Sequence, residues 1–179
     1  MNSVLPNVIK AHAPLRLAPL GPMNFAALDF RLMKIYPAYH IIQQGLRTGV
    51  IGPDTTIVET SSGTMALGLA IVCKHIGLKL QIFGDAAIDD GLKRTLEQLG
   101  AKVHIVVASV ADSNVQTLRK KALMEFMART PSVWARQYDN PDNRLAYSLA
   151  AEEAILQFGQ IDILVGPPGS GGSSCALSF

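Results

Sequence analysis

The sequence predicts an α/β fold: an open, twisted, mostly parallel sheet built from βαβ units. Two observations lead there. From residue 54 onward, short β-branched apolar runs alternate with helical patterns of about ten residues or more. The hydrophobic content is 49% and the charged content 17%, a globular balance far from that of disordered chains.

The elements follow in order. Ala13-Pro14-Leu15-Arg16-Leu17 reads as an extended entry segment, and Pro37 suits the first turn of a helix running to about Arg47. Thr55–Val58 is a buried strand, followed by the small-residue turn Thr60–Gly63. The apolar run Met65–Ile76 is a helix stopped by Gly77. Leu80–Phe83 is the next strand. Asp89-Asp90 then caps a helix that carries Leu92, Leu96 and Leu99 on one face and ends at Gly100. Val103–Val107 is a third strand. Asp112 or Ser113 caps a long helix with Val115, Leu118, Ala122 and Phe126, which Pro131 stops. Leu145–Phe158 reads as one amphipathic helix and Ile161–Val165 as a last strand, so both small-residue turns, Thr60–Gly63 and Gly169–Ser174, follow strands. In parallel sheets ligands sit beyond such strand ends.

Composition excludes several classes. Lys plus Arg number 16 against 14 Asp plus Glu, and a net charge of +2 gives no basic face for nucleic acid. No apolar run approaches the ~20 residues of a membrane span. Met1–Lys10 lacks the pattern of a signal peptide, so the cytoplasm is the expected compartment. Cys73 and Cys175 form no CxxC pair, and His12, His40, His75 and His104 lack metal-ligand spacing, so no metal is expected.

Three segments carry candidate chemistry. Gly166-Pro167-Pro168-Gly169-Ser170-Gly171-Gly172-Ser173-Ser174 has the glycines that let backbone amides approach an anion. It is neither a P-loop nor a dinucleotide fingerprint, and it reads equally as a flexible tail. Glu59–Met65 offers hydroxyls and helix-start amides to a carboxylate, or is a plain turn with a serine cap. Lys34, flanked by Leu32, Met33, Ile35 and Tyr36, is either a desolvated nucleophilic amine or a snorkelling surface lysine.

Taken together and in order, these segments resemble the cysteine synthase and cystathionine β-synthase family of pyridoxal-phosphate enzymes (tryptophan synthase β-like, fold type II). Gly49–Glu59 is similar to the family's approach to its carboxylate loop. Counting back from Gly49 without a gap puts Lys34 at the family's Schiff-base lysine. Ser61-Ser62-Gly63-Thr64-Met65-Ala66 falls on the Thr-Ser-Gly-Asn-Thr-Gly-type loop. Lys93–Ala101 falls on the helix-and-strand segment after it. Gln137-Tyr138-Asp139-Asn140-Pro141 falls on the substrate-contacting glutamine segment, and Gly169-Ser170-Gly171-Gly172-Ser173 on the phosphate loop.

The resemblance implies pyridoxal 5'-phosphate as cofactor and Lys34 as the catalytic lysine. Ser61, Ser62, Gly63 and Gln137 would hold the substrate carboxylate. Gly169, Ser170, Gly171, Gly172 and Ser173 would hold the cofactor phosphate, and Thr64 its ring oxygen. The implied reaction is β-replacement or β-elimination on serine- or cysteine-type amino acids, as in cysteine biosynthesis. The implied layout gives residues 1–50 to the large cofactor domain, 51–140 to a small substrate-loop domain, and 141–179 to an incomplete return to the large domain.

The departures are specific. The Asn-Pro-x-Gly-Ser approach to the lysine is absent, and Ile35-Tyr36 replaces Asp-Arg after it. Thr64 replaces an asparagine, and Met65 and Ala66 replace Thr and Gly. Family members continue past the phosphate loop with a helix, further strands and a partner for the pyridine nitrogen, so a C-terminally truncated chain is expected. Besides the enzyme, the sequence admits a non-catalytic relic that partners a full-length homologue, or an unrelated nucleotide-binding domain. A homodimer or a pairing with a longer homologue is expected, with a small amino acid as substrate and with no nucleic acid or membrane partner.

Overall fold

The structure, a computed structural model, describes residues 7–12, 15–20, 26–107, 114–166 and 169–177. The elements run α1 (Asn7–His12), β1 (Leu15–Pro19), β2 (Ala26–Phe30), α2 (Ile35–Arg47), β3 (Thr56–Glu59), α3 (Thr64–Ile76) and β4 (Lys79–Asp85). They continue with α4 (Asp90–Gln98), β5 (Lys102–Val106), α5 (Val115–Met127), β6 (Ser132–Trp134), α6 (Asp142–Leu145), α7 (Ser148–Phe158) and α8 (Gly172–Leu177).

Four strands form one parallel sheet in the order β5-β4-β3-β6. Ile57 pairs with Leu80 on one side and Val133 on the other. Alternation along β3 explains why all four of its residues are buried. Ile57, with Leu80 and Ile82, packs against α2, α3 and α4 through Ile42, Leu69 and Leu96. Val58 and Phe83 face the other way, onto Leu123 of α5 with Phe126 and Trp134. The sheet is therefore covered on both faces.

The expected βαβ architecture stands, and Asp89 caps α4 by accepting from Leu92 N at 2.9 Å. Several details differ. β1 pairs antiparallel with β2, a hairpin partner that the extended entry segment did not announce. β6 is a three-residue strand whose short Val-Trp core gives little pattern to read. Asn114 caps α5, through Gln116 N, while Asp112 and Ser113 lie outside the described residues. The helix expected over Leu145–Phe158 is two helices, parted where Tyr147 turns fully inward toward Met33 and Tyr36.

Two expectations are overturned. Ile161–Val165 forms no strand. It runs exposed, with Ile163 at 81% and Val165 at 83%. A strand needs a neighbour to take its N–H and C=O groups, and no described strand lies beside it. The second small-residue turn therefore does not follow a strand. A short helix, α8, does follow that turn, where none was expected.

Candidate active site

The lysine side chain reaches the C-terminal loop. Lys34 ends a tight turn, residues 31–34, and its carbonyl accepts from Ala38 N at 3.2 Å to start α2. Gly68 of α3 lies against that carbonyl, and a β-carbon there would stand 2.7 Å from the oxygen. Glycine at 68 is what lets the helix behind the Ser61–Thr64 turn press onto the backbone of Lys34. The Lys34 Nζ donates to Ser170 Oγ at 2.7 Å, across 136 residues of sequence. Burial pushes the amine below its usual range, and the Glu59 carboxylate opposes that shift.

Glu59 is 0% exposed. Its Oε1 accepts from Thr60 N at 2.7 Å and Trp134 Nε1 at 3.0 Å, and its Oε2 from Gln137 N at 3.1 Å. Desolvation pushes its carboxyl up, and these donors pull the other way. Arg136, at φ 55°, makes the turn after β6 that aims Gln137 N at Glu59. Gln137 is thus buried and fixed by its backbone. Its carbonyl accepts from Asn143 Nδ2 at 2.5 Å, and the same Nδ2 donates to Ser170 Oγ at 3.0 Å. The Gln137 segment, the C-terminal loop and Lys34 therefore meet in one hydrogen-bonded cluster.

The Ser61–Thr64 turn joins β3 to α3. Ser61 is buried and its Oγ accepts from Gly63 N at 3.3 Å. Gly63, in extended conformation, precedes α3 with no side-chain cap, so the serine-cap alternative does not hold. Ser62 Oγ donates to Asp85 Oδ1 at 3.1 Å and accepts from Arg119 Nη1 at 3.0 Å. Arg119 Nη1 also pairs with Asp85 Oδ2 at 2.9 Å, nearly out of solvent. Ser62's single proton is thereby committed to Asp85, so its hydroxyl orients the turn. Thr64, the first residue of α3, is exposed, and Met65 and Ala66 are core residues behind it.

In the C-terminal loop Gly169 is exposed, Ser170 and Ser173 are half-buried, Gly171 has φ 78°, and Gly172 is buried at the start of α8. An open cleft of about 370 Å³ lies between residues 138–144 and Ser170, Gly171 and Cys175. Among the described residues no cluster of His, Cys, Asp or Glu has the makings of a metal site. No helix of the described residues is long and apolar enough to cross a membrane.

Sequence reasoning missed Glu59, Asp85, Arg119 and Asn143. Two of them leave a trace. Arg119 sits four residues after Val115, on the apolar stripe of its own helix, and Glu59 directly follows the apolar pair Ile57-Val58 in its strand. Asp85 and Asn143 carry no comparable mark.

The family profile described as "Pyridoxal-phosphate dependent enzyme" matches residues 33–179. The chain belongs to that family, and pyridoxal phosphate is the family's cofactor. Among individual relatives, an N-(2-amino-2-carboxyethyl)-L-glutamate synthase of Ralstonia nicotianae is 35% identical over 62% of this chain and 33% of its own length. Cysteine synthase 1 of Emericella nidulans is 30% identical over 79% of this chain and 39% of its own length. The chain thus spans between a third and two fifths of these curated relatives. A hydrogen sulfide-producing enzyme of Fusobacterium nucleatum superposes with a TM-score of 0.83 at 21% identity, covering 99% of this chain and 63% of that one. An O-acetylserine dependent cystathionine beta-synthase of Helicobacter pylori gives 0.82 at 22%, covering 97% and 61%. At these identities the structures establish the fold, that of the fold type II enzymes.

The cluster fits the cofactor. A desolvated primary amine stands at hydrogen-bond distance from a glycine-serine loop, which pairs the two functions an aldehyde-bearing phosphate ester requires: a nucleophilic nitrogen and an anion cradle.

Proposed function

We propose that this chain carries the cofactor and substrate-carboxylate elements of a pyridoxal-phosphate enzyme that performs β-replacement or β-elimination on serine- or cysteine-type amino acids. The observation that carries the reading is the 2.7 Å contact between Lys34 Nζ and Ser170 Oγ. The synthases among its relatives support the reaction class by their names. When bound, the cofactor supplies an electron sink for charge developed at the substrate's α-carbon.

The chain's own residues take these roles. Lys34 holds the cofactor and moves the α-proton, and desolvation favours the neutral amine that both tasks need. Gly169, Ser170, Gly171, Gly172 and Ser173 hold the phosphate. Ser61, the amides at the start of α3 and Gln137 receive the substrate carboxylate, while Ser62 keeps the turn in place through Asp85 and Arg119. Thr64, exposed at the first position of α3, is the candidate for the ring oxygen. Residues 1–50 and 141–179 build the cofactor side and residues 51–140 the substrate side.

The test is a titration with pyridoxal phosphate followed by an O-substituted serine. The reading expects a saturable absorbance change that the amino acid then alters. Saturation with no response to any β-substituted amino acid would remove the substrate assignment.

A second reading rests on Ile161, Ile163, Leu164 and Val165, whose exposed apolar side chains favour association. Here the chain pairs with a second copy or with a longer homologue. Light scattering that finds a monomer at micromolar concentration, with no uptake of a longer homologue, would remove it.

A further inference from the structure

We propose that Asn143 is the positioning residue that sets the phosphate loop against Lys34, and that Gly172 is glycine to make room for it. The inference rests on the reading of residues 169–173 as the phosphate cradle and adds a residue that no resemblance pointed to. Asn143 is 2% exposed. Its Nδ2 has two protons, and both are used: one on Gln137 O at 2.5 Å, the other on Ser170 Oγ at 3.0 Å. The carbonyl of Gln137 only accepts, so the amide is oriented with its nitrogen toward these partners.

The consequence falls on Ser170. Its oxygen has two lone pairs. Asn143 Nδ2 takes one and Lys34 Nζ the other. When Lys34 turns to the cofactor, Asn143 still holds one of these lone pairs, and the hydroxyl proton of Ser170 is free to donate to an anionic phosphate, which only accepts. Asn143 Oδ1 is buried and has no partner among the described residues. It lies over Gly172, where a β-carbon would stand 2.8 Å from both Asn143 Oδ1 and Nδ2 and 2.9 Å from its Cγ. Any side chain at 172 must push Asn143 off Gln137 and Ser170.

The experiment compares binding of pyridoxal phosphate and pyridoxal, the same ring without the phosphate, followed by quenching of the single tryptophan, Trp134. Asn143→Ala is expected to weaken pyridoxal phosphate about tenfold, the worth of roughly one lost hydrogen bond, and to leave pyridoxal unchanged. Gly172→Ala is expected to give the same selective loss. The double variant is expected to match Asn143→Ala alone, because the truncated side chain leaves space for the new methyl. Unchanged pyridoxal binding also shows that each variant is folded. Full phosphate preference in Asn143→Ala would overturn the proposal, as would additive losses in the double variant. A wild-type chain that binds both forms equally would overturn the phosphate-loop reading and this proposal with it.

Discussion

Thr56-Ile57-Val58 and Ile161-Asp162-Ile163-Leu164-Val165 look alike on paper, yet one is the centre of a sheet and the other an exposed strip. β3 has β4 on one side and β6 on the other, so both of its edges are paired, and helices close both faces. The 161–165 strip has the same β propensity with no described strand beside it. Propensity describes what a segment will do when offered a partner, and the partner is a property of the whole fold. The site straddles this contrast. Glu59, Ser61 and Gln137 hang from the well-buried lobe, while Ser170 belongs to the stretch beyond the exposed strip.

Hydrogen exchange should show the contrast at its largest. Amides of β3 and β4 are expected to exchange about a thousandfold or more slower than those of 161–165, since they open only with the lobe as a whole. Equal rates would mean that the strip is structured in solution. Asp85→Ala comes next, leaving Arg119 nearly buried without its counter-charge, with an expected loss of about 3–5 kcal/mol in urea unfolding. Ile57→Ala should lose about 2–5 kcal/mol, whereas Ile163→Ala should stay within about 0.5 kcal/mol. A large loss at 163 would show that the strip is packed.

The smallest effect is on pH dependence. The Lys34 amine titrates below its ordinary value of 10.5 in the folded chain because burial penalises the charge. Over the window between that lowered value and 10.5 the unfolded chain binds more protons, so this lysine makes stability rise with pH. Lys34→Met should remove that rise from melting curves taken across the window. A slope identical to wild type would place the amine in water.

Much of the fold was legible because local patterns coincide with burial. The runs read at 55–58, 80–83 and 103–107 and the stops at Gly77 and Gly100 are local signals, and each fell within a residue or two of an observed boundary. β6 and the β1–β2 pairing were not legible: β6 is a three-residue strand fixed by a neighbour far along the chain, and Ala26–Phe30 has no β-branched residue to mark it as a strand. In the site, Lys34 and the 169–173 loop were legible through residue type and order, and the structure joins them. Asn143 was not, because a buried asparagine and a surface one are the same letter. Asp85 and Arg119 escaped for a related reason: a charge looks solvated until its partner, far along the chain, is seen beside it.

The account turns on one amine. Pyridoxal phosphate should be added to the chain, reduced with borohydride, and the digest read by mass spectrometry. The modification is predicted on Lys34, and prior addition of inorganic phosphate should slow it. Labelling of a different lysine, or none, would contradict the account.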